Sequence, residues 1–404
     1  MAELLVIADD LTGALDSGVQ LARKGQRVLV SVDDVNGLEY ADQADVIVID
    51  SESRHDDPQT AYGKVARLVS ESRSLGIPQI YKKTDSGLRG NVGAELAAVL
   101  DASGSAYLNF VPAYPKQQRT TEGGVHYVAG VPLAKSIFAV DPLNPVTKSK
   151  VADLIHEQSD VSVTRWTPGG ALEGIVVYDC ATDDEMRDIA ERFDRASETI
   201  PMAGCAGLLE MLPGNKALNG RERQTTPLPE RLVVISGSVN AVTSLQLNEA
   251  ERLGAYRRHL PVEQVLAKGW QEQEARAFVK ETLGLGAECP VILIDTLGYQ
   301  MSAEQIADET NARKISEAAS LCAAVVSEAS DRTVMIVGGD ALVGFVEMVG
   351  ATVLEPIDEI FPGIVIARYE GEKVQGTIVT KSGAFGDVGL FFDIHTALKE
   401  KVEE

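Results

Sequence analysis

Ten consecutive residues, Lys82-Lys83-Thr84-Asp85-Ser86-Gly87-Leu88-Arg89-Gly90-Asn91, carry a carboxylate, two hydroxyls, two ammonium groups, a guanidinium and an amide. Polar groups at that density make a poor core and a good grip for a small, oxygen-rich anion. Arg89 offers a planar fork to a carboxylate. The hydroxyls and the amide suit alcohol groups, and Asp85 is a candidate base. The same composition also suits a polar loop capping the next helix, and the loop alone does not choose between the two.

Other clusters stand at comparable places. Asp9-Asp10 closes the first apolar run and opens Leu11-Thr12-Gly13-Ala14, so one acid or Thr12 caps a helix while a second acid remains for a ligand or Mg²⁺. Phe110 to Gly124 holds two prolines, Arg119 and a threonine pair, which reads as a rigid crossover or as donors for an anion. Asp141 to Val146 is another proline-stiffened turn. Later in the chain, Ser236-Gly237-Ser238-Val239-Asn240, Val337-Gly338-Gly339-Asp340-Ala341 and Thr380-Lys381-Ser382-Gly383 each join a small-residue turn to an apolar run. Backbone N–H groups at such turns suit phosphate. None is a Walker A motif or a G-x-G-x-x-G fingerprint, but three of them in one half point to nucleotide binding. No G-x-S-x-G elbow occurs, the five histidines show no metal-ligand spacing, and Trp166 and Trp270 are too isolated for an aromatic platform.

These clusters need strand ends to hold them. Leu4–Ala8 is continuously apolar, as a strand buried on both faces must be. Helical and apolar segments then alternate: a helix near Ala14–Lys24, strands at Arg27–Val32 and Val46–Asp50, a helix at Thr60–Leu75, a strand at Gln79–Lys82, a helix at Gly93–Leu100 and a strand at Ala106–Val111. The rhythm restarts at Leu232–Ser236, with a helix near Ala241–Leu253, strands at Val291–Asp295 and Val334–Gly338, and a helix near Ile306–Ser327. Such alternation predicts an α/β protein of two domains, each a mainly parallel sheet flanked by helices, with the active site in the interdomain cleft. Pro213 to Pro229 has linker composition, which places the boundary within 215–229 and gives domains 1–222 and 223–404.

The 404 residues are 45% hydrophobic and 24% charged, an ordinary globular balance. The formal net charge of −23 argues against nonspecific nucleic-acid or anionic-membrane binding. It leaves room for an anionic small molecule in a local basic pocket, for which Lys82, Lys83 and Arg89 are the candidates. Cys180, Cys205, Cys289 and Cys322 have no paired spacing, so reduced thiols without a zinc site are expected, in a cytoplasmic protein without a signal peptide or membrane span.

Together the motifs resemble the four-carbon acid sugar kinase family along the whole chain. Ile7–Ala14 is similar to its IADDxTGA opening and Lys83–Glu95 to its KxDSTLRGNxGAE stretch. Pro112–Gly124 resembles its PAxPxxGRTT loop, and Asp141–Val146 its DPxxPV turn. The second half is more loosely similar, through Gly237–Asn240, Gly338–Ala341 and Lys381–Gly386. Gly87 stands where threonine is usual, Gln118 where glycine is usual, and Asn240 and Ala341 where serine and threonine are common. The loss of a hydroxyl at Gly87 opens the question of substrate more than of reaction class. DSxLRGN, with Gly-Val-Gln after Asp16-Ser17, looks more like the threonate and erythronate kinases than the 3-oxo-tetronate branch.

The resemblance implies an ATP- and Mg²⁺-dependent kinase acting on the 4-hydroxyl of a sugar acid, D-threonate first. Arg89 and Lys83 would hold the carboxylate, and Asp10, Asp85, Ser86 and Asn91 the hydroxyls, within a set that also includes Asp9, Gly90 and Arg119. Asp85, or else Asp10, would accept the proton. Ser238, Asn240, Gly338, Gly339, Asp340 and Ala341 would hold phosphates, with Lys381 and Gly383 near the nucleotide. The magnesium ligands are not identified beyond Asp340 as a candidate, and a homodimer is expected. A Mg²⁺-dependent lyase using Asp9 and Asp10, or a non-catalytic sugar-acid sensor, are the competing readings.

Overall fold

The structure is a computed structural model describing residues 1–141, 143–195, 199–213, 228–238, 240–297, 308–372, 374–383 and 385–403. Most of the proline- and glycine-rich stretch Pro213–Pro229 lies outside the described residues, as do Pro142, Val239, Ala384 and the expected helix start at Ile306. The chain divides into two compact units, Met1–Arg223 and Gln224–Glu404.

In the first unit, β1 (Leu4–Ala8), β2 (Val28–Ser31), β3 (Val46–Asp50), β4 (Gln79–Lys83) and β5 (Tyr107–Val111) alternate with α1 (Leu11–Ala22), α2 (Pro58–Ser74) and α3 (Val92–Ser103). Three short strands follow, β6 (Arg119–Glu122), β7 (Val125–Val128) and β8 (Val131–Pro132). The unit is completed by α4 (Val151–Ile155), β9 (Val163–Arg165), β10 (Gly174–Val177), α5 (Asp183–Asp194), β11 (Met202–Gly204) and α6 (Ala206–Met211). The order β2-β3-β1-β4-β11-β5-β10-β9 is parallel throughout. β1 to β4 are continuously apolar or buried because helices cover both faces. α1 starts at Leu11, earlier than its apolar pattern suggests, because Asp10 caps it. The Pro112–Gly124 segment is not a plain crossover: β6, β7 and β8 form a small antiparallel sheet. Such short, half-polar strands leave little trace in hydrophobic periodicity. Trp166 is likewise not isolated. It stacks on Tyr178 with ring centroids 5.5 Å apart, and the Arg192 guanidinium lies 4.4 Å from its ring.

The second unit contains β12 (Leu232–Ser236), α7 (Ala241–Arg252), β13 (Tyr256–His259), α8 (Val262–Lys268), α9 (Glu272–Leu285), β14 (Val291–Asp295), α10 (Glu309–Ala329), β15 (Thr333–Val337), α11 (Gly339–Val349), β16 (Val353–Phe361), β17 (Ile364–Glu370), β18 (Gln375–Lys381) and α12 (Leu390–Glu403). Strands β13-β14-β12-β15-β18 are parallel, and β17 and β16 add on antiparallel. One core joins Val234, Leu293, Met335 and Val379 of the sheet to Leu247 and Phe391 of the helices. Both units are therefore mainly parallel α/β layers, and no described helix is long and apolar enough to cross a membrane.

Candidate functional site

The first unit brings its polar loops together through register. Ala8 lies opposite Asp50 on β3 and Lys83 on β4, so the loops after three strands start level with one another. In the order β2-β3-β1-β4 the connections from β1 and β4 leave in opposite directions, and parallel sheets bind ligands in that crevice. Asp10 caps α1 by accepting from the Gly13 N–H at 3.0 Å, and Thr12 donates its hydroxyl to the other oxygen at 2.6 Å. Sequence reasoning missed Arg54. Its guanidinium donates to both oxygens of Asp10 at 2.8 Å and to Asp9 at 2.7 Å, and it lies 3.8 Å from Asp85. Its detectable signal was its place just beyond a buried strand end, the same kind of position that marked Asp9 and Asp85. Burial by itself would raise the Asp10 carboxyl, but Arg54 and Lys83 outweigh it and hold Asp10 below the usual carboxylate range.

Lys82 and Lys83 do not act together, because successive strand residues face opposite ways. Lys82 is fully buried against Glu95 at 3.1 Å and donates to the Lys83 carbonyl, which makes it a structural pair and removes it from the expected basic pocket. Lys83 faces the acids. Burial lowers its pKa, yet Asp9, Asp10 and Asp16 carry it above the ordinary lysine value.

Arg89 is also committed elsewhere. Its Nε and Nη2 donate to the two oxygens of Asp85 at 2.8 and 3.0 Å, and its Nη1 donates to Asp141 at 3.0 Å. This occupies the fork that the sequence assigned to a substrate carboxylate. Asp85 accepts from the Gly87 N–H as well, and against the effect of burial Arg89, Arg54 and Lys83 hold it well below the usual range. Asn91, expected to read a hydroxyl, gives both amide hydrogens to the Ser53 and Asp56 carbonyls at 2.8 Å. Gly90 lends its carbonyl to Gln158 at 3.1 Å. Ser86 is buried, and its carbonyl accepts from His126 at 3.1 Å. Burial pushes His126 down to about 4, so it is a neutral positioning group.

Arg119 differs from the paired arginines Arg54 and Arg89. It is 8% exposed, its Nε has no hydrogen-bond partner, and among the described residues no carboxylate lies within ion-pair distance of it. One Nη donates to the Gln117 carbonyl. Burial lowers its pKa, and Asp85 only partly offsets that. Asp9 Oδ1 and Thr84 Oγ1 are also buried without a partner. A buried ion without a counter-ion costs several kcal/mol, on the order of what an anionic ligand would return. The unit thus holds a buried guanidinium nitrogen and buried oxygen atoms without partners, the kinds of donor and acceptor that a hydroxy acid matches.

The second unit repeats the logic. Ser236, Val337 and Lys381 are in register, so the three small-residue turns start side by side. Gly338 has φ +111° and opens α11, which begins at Gly339. Asn240 caps α7 by accepting from the Val242 N–H at 2.9 Å, and Ser238 Oγ accepts from the Asn240 N–H at 3.2 Å. Gly383 fits so closely that a Cβ there would stand 2.6 Å from Ser238 Oγ. Asp340 is exposed in the first turn of α11, whereas Ala341 is buried, with its methyl against Gly237. Lys381 is 1% exposed and donates to the Ser382 and Gly383 carbonyls at 2.9 and 3.1 Å. Among the described residues it has no carboxylate partner, and burial pushes it down to about 7. Two helix N-termini beside a buried lysine suit phosphate groups. Among the described residues no cluster of three or more His, Cys, Asp or Glu could hold a metal by itself.

Two family models match the chain, a "Sugar-binding N-terminal domain" over residues 4–212 and a "Nucleotide-binding C-terminal domain" over residues 233–391. A D-threonate kinase of Salmonella typhimurium strain LT2 is 28% identical, covering 97% of each chain. A D-erythronate kinase of Heliobacterium modesticaldum is 29% identical, covering 96% of this chain and 95% of its own. The chain belongs to the four-carbon acid sugar kinase family.

Four-carbon acid sugar kinases are phosphotransferases that act on a hydroxyl group, and this chain is one of them. The crystal structure described as a putative tRNA synthase from Salmonella typhimurium LT2 shares the fold, with TM-score 0.75 and 23% identity over 97% of this chain and 98% of that one. In the acid sugar kinase frame, Arg119, Asp9 and Thr84 lie in the matched sugar-binding domain. Lys381 and the turns at Gly237, Gly338 and Gly383 lie in the nucleotide-binding one.

Proposed function

We propose that this kinase uses ATP to phosphorylate the terminal 4-hydroxyl of D-threonate, with D-erythronate or a 3-oxo-tetronate as the alternative acceptor. The observation that carries this reading is a pair of buried cations lacking carboxylate partners among the described residues, Arg119 in the sugar-binding unit and Lys381 in the nucleotide-binding unit. In a chain with net charge −23 such cations favour anions brought by ligands.

Arg119 takes the substrate carboxylate, because the Arg89 fork is filled by Asp85 and Asp141. Arg89 instead positions Asp85. Asp85 stays ionised and orients the attacking hydroxyl, with Asp9 Oδ1 as a second acceptor. A carboxylate held so far below neutrality is a weak base. Phosphoryl transfer depends mainly on positioning and charge neutralisation, so orientation is the larger part of its role. Lys83 balances the acids around the hydroxyl. ATP with Mg²⁺ would supply the phosphoryl group and part of the charge neutralisation. Lys381, Ser238 and the backbone at Gly338 and Gly383 would hold its phosphates, with Asp340 at the exposed end of the same turn. With no described all-protein metal cluster, the ion would arrive on the phosphates.

ADP release measured across D- and L-threonate, D- and L-erythronate and 3-oxo-tetronates tests this reading. Release that requires the acid supports a kinase and rules against the lyase. Calorimetric binding of the acids without phosphorylated product would support a sensor and overturn the proposal.

A further inference from the structure

Gly87 interrupts the otherwise complete motif, and the structure shows what occupies the space above it. A Cβ on Gly87 would stand 2.7 Å from Cγ and Cδ1 and 2.8 Å from Cδ2 of Phe138. An aromatic ring held on several sides cannot yield as the tip of a flexible side chain does. Phe138 is 4% exposed, and the guanidinium carbons of Arg89 and Arg119 lie 5.1 and 5.6 Å from its centroid. The short helical turn Ile137–Val140 that carries it is capped by Ser136, and the Phe138 carbonyl accepts from the Val146 N–H at 3.0 Å. Three residues on, Asp141 holds Arg89. Phe138 therefore touches the sugar-acid loop, the positioning arginine and the open arginine together.

We propose that Phe138, seated flush on Gly87, is the specificity-determining wall of the acid-sugar pocket. The inference rests on reading the first unit as the acceptor site. The ring fills the volume that a side chain at position 87 would take and fixes the direction of the Arg119 fork. Carbon stands where residue 87 could otherwise present a hydroxyl donor, so substrates are distinguished at this wall by shape. An apolar wall discriminates by only about 10- to 200-fold, whereas a buried hydrogen bond can reach about 10⁴-fold or more. D-threonate and D-erythronate differ in configuration at one carbon, and the part of their discrimination that arises at this wall should be no more than about 200-fold in kcat/KM.

The experiment is a double-mutant cycle with Gly87→Thr, Phe138→Ala and the combined variant. It is read in kcat/KM for D-threonate and D-erythronate and, without substrate, in Tm. Gly87→Thr should raise KM for both acids by roughly tenfold or more by displacing the ring from Arg119. Phe138→Ala should shift the ratio of the two kcat/KM values by about fivefold or more. The combined variant should be less impaired than the product of the single losses, because removing the ring removes the clash. Phe138→Leu replaces Phe138→Ala if the latter does not fold. Unchanged ratios in both single variants, or strictly additive losses in Tm, would overturn the inference. The Tm coupling needs no turnover: a wild-type enzyme inactive on every tetronate would defeat the functional reading, while the seat of Phe138 on Gly87 would still be judged by that coupling.

Discussion

Arg89 and Arg119 pack against the same phenylalanine yet have opposite surroundings, and this gives them opposite consequences on mutation. Arg119→Ala removes a charge-assisted partner from the substrate alone. It should raise KM for the tetronate by about 10- to 150-fold, corresponding to about 1.4–3 kcal/mol, without a fall in Tm as large as that of Arg89→Ala, because no carboxylate is stranded. Arg89→Ala strands Asp85 and Asp141, two carboxylates it now pairs. Breaking a buried pair from one side costs about 3–5 kcal/mol, so its main effect should be a fall in Tm of many degrees. Steady-state kinetics and thermal unfolding of the two variants separate these outcomes. A large KM effect from Arg89→Lys, with normal Tm and a silent Arg119→Ala, would return the carboxylate to Arg89.

At the scale of elements, strand register does the assembling. Lys381 ends β18 level with the ends of β12 and β15, and the close fit of Gly383 against Ser238 brings the last turn onto the first. Lys381→Met keeps an unbranched chain but removes the cation. It should raise the KM for ATP at least tenfold and raise Tm, since an isolated buried charge opposes folding. A loss of both stability and nucleotide affinity would instead mark Lys381 as part of a structural ion pair. Gly383→Ala drives a methyl to 2.6 Å from Ser238 Oγ. It should weaken ATP binding several-fold while leaving the KM of the acid within about twofold, a contrast readable in initial rates.

For the whole molecule, several buried groups give the same dependence of stability on pH. Lys381 sits at about 7 when folded, against 10.5 for free lysine, so unfolding takes up a proton between those values and stability rises with pH across that window. His126, at about 4 against 6.5, adds a rise over pH 4 to 6.5. Asp85, held low in the folded state, adds to the loss of stability in acid. Buried Asp50, held well above the usual carboxylate range, opposes the acid limb, whereas above pH 7 calorimetric Tm should climb through the lysine contribution. Lys381→Met should reduce the climb above pH 7 and leave in place the part that Lys24, pushed by burial to about 8, adds above pH 8. An identical alkaline slope in that variant would remove Lys381 as its source.

Sequence alone determined much of this protein. Continuous apolar runs such as Leu4–Ala8 and Leu232–Ser236 can be buried only in a sheet covered on both faces, so parallel α/β units followed from the pattern. Polar clusters at the ends of those runs marked Asp9, Asp85, Gly338 and Lys381, because strand ends are where parallel sheets expose ligands. Partnership was not legible. Arg54 lies more than 30 residues from Asp85, and Phe138 lies 51 from Gly87. Only the packed structure shows that Arg54 ties the acids together, that Arg89 is already paired, and that Arg119 keeps a buried nitrogen without a partner. Local sequence sets which groups reach a strand end. Which of them remain open to a ligand depends on distances across the fold, where a few ångströms decide whether a buried charge already has its counter-ion.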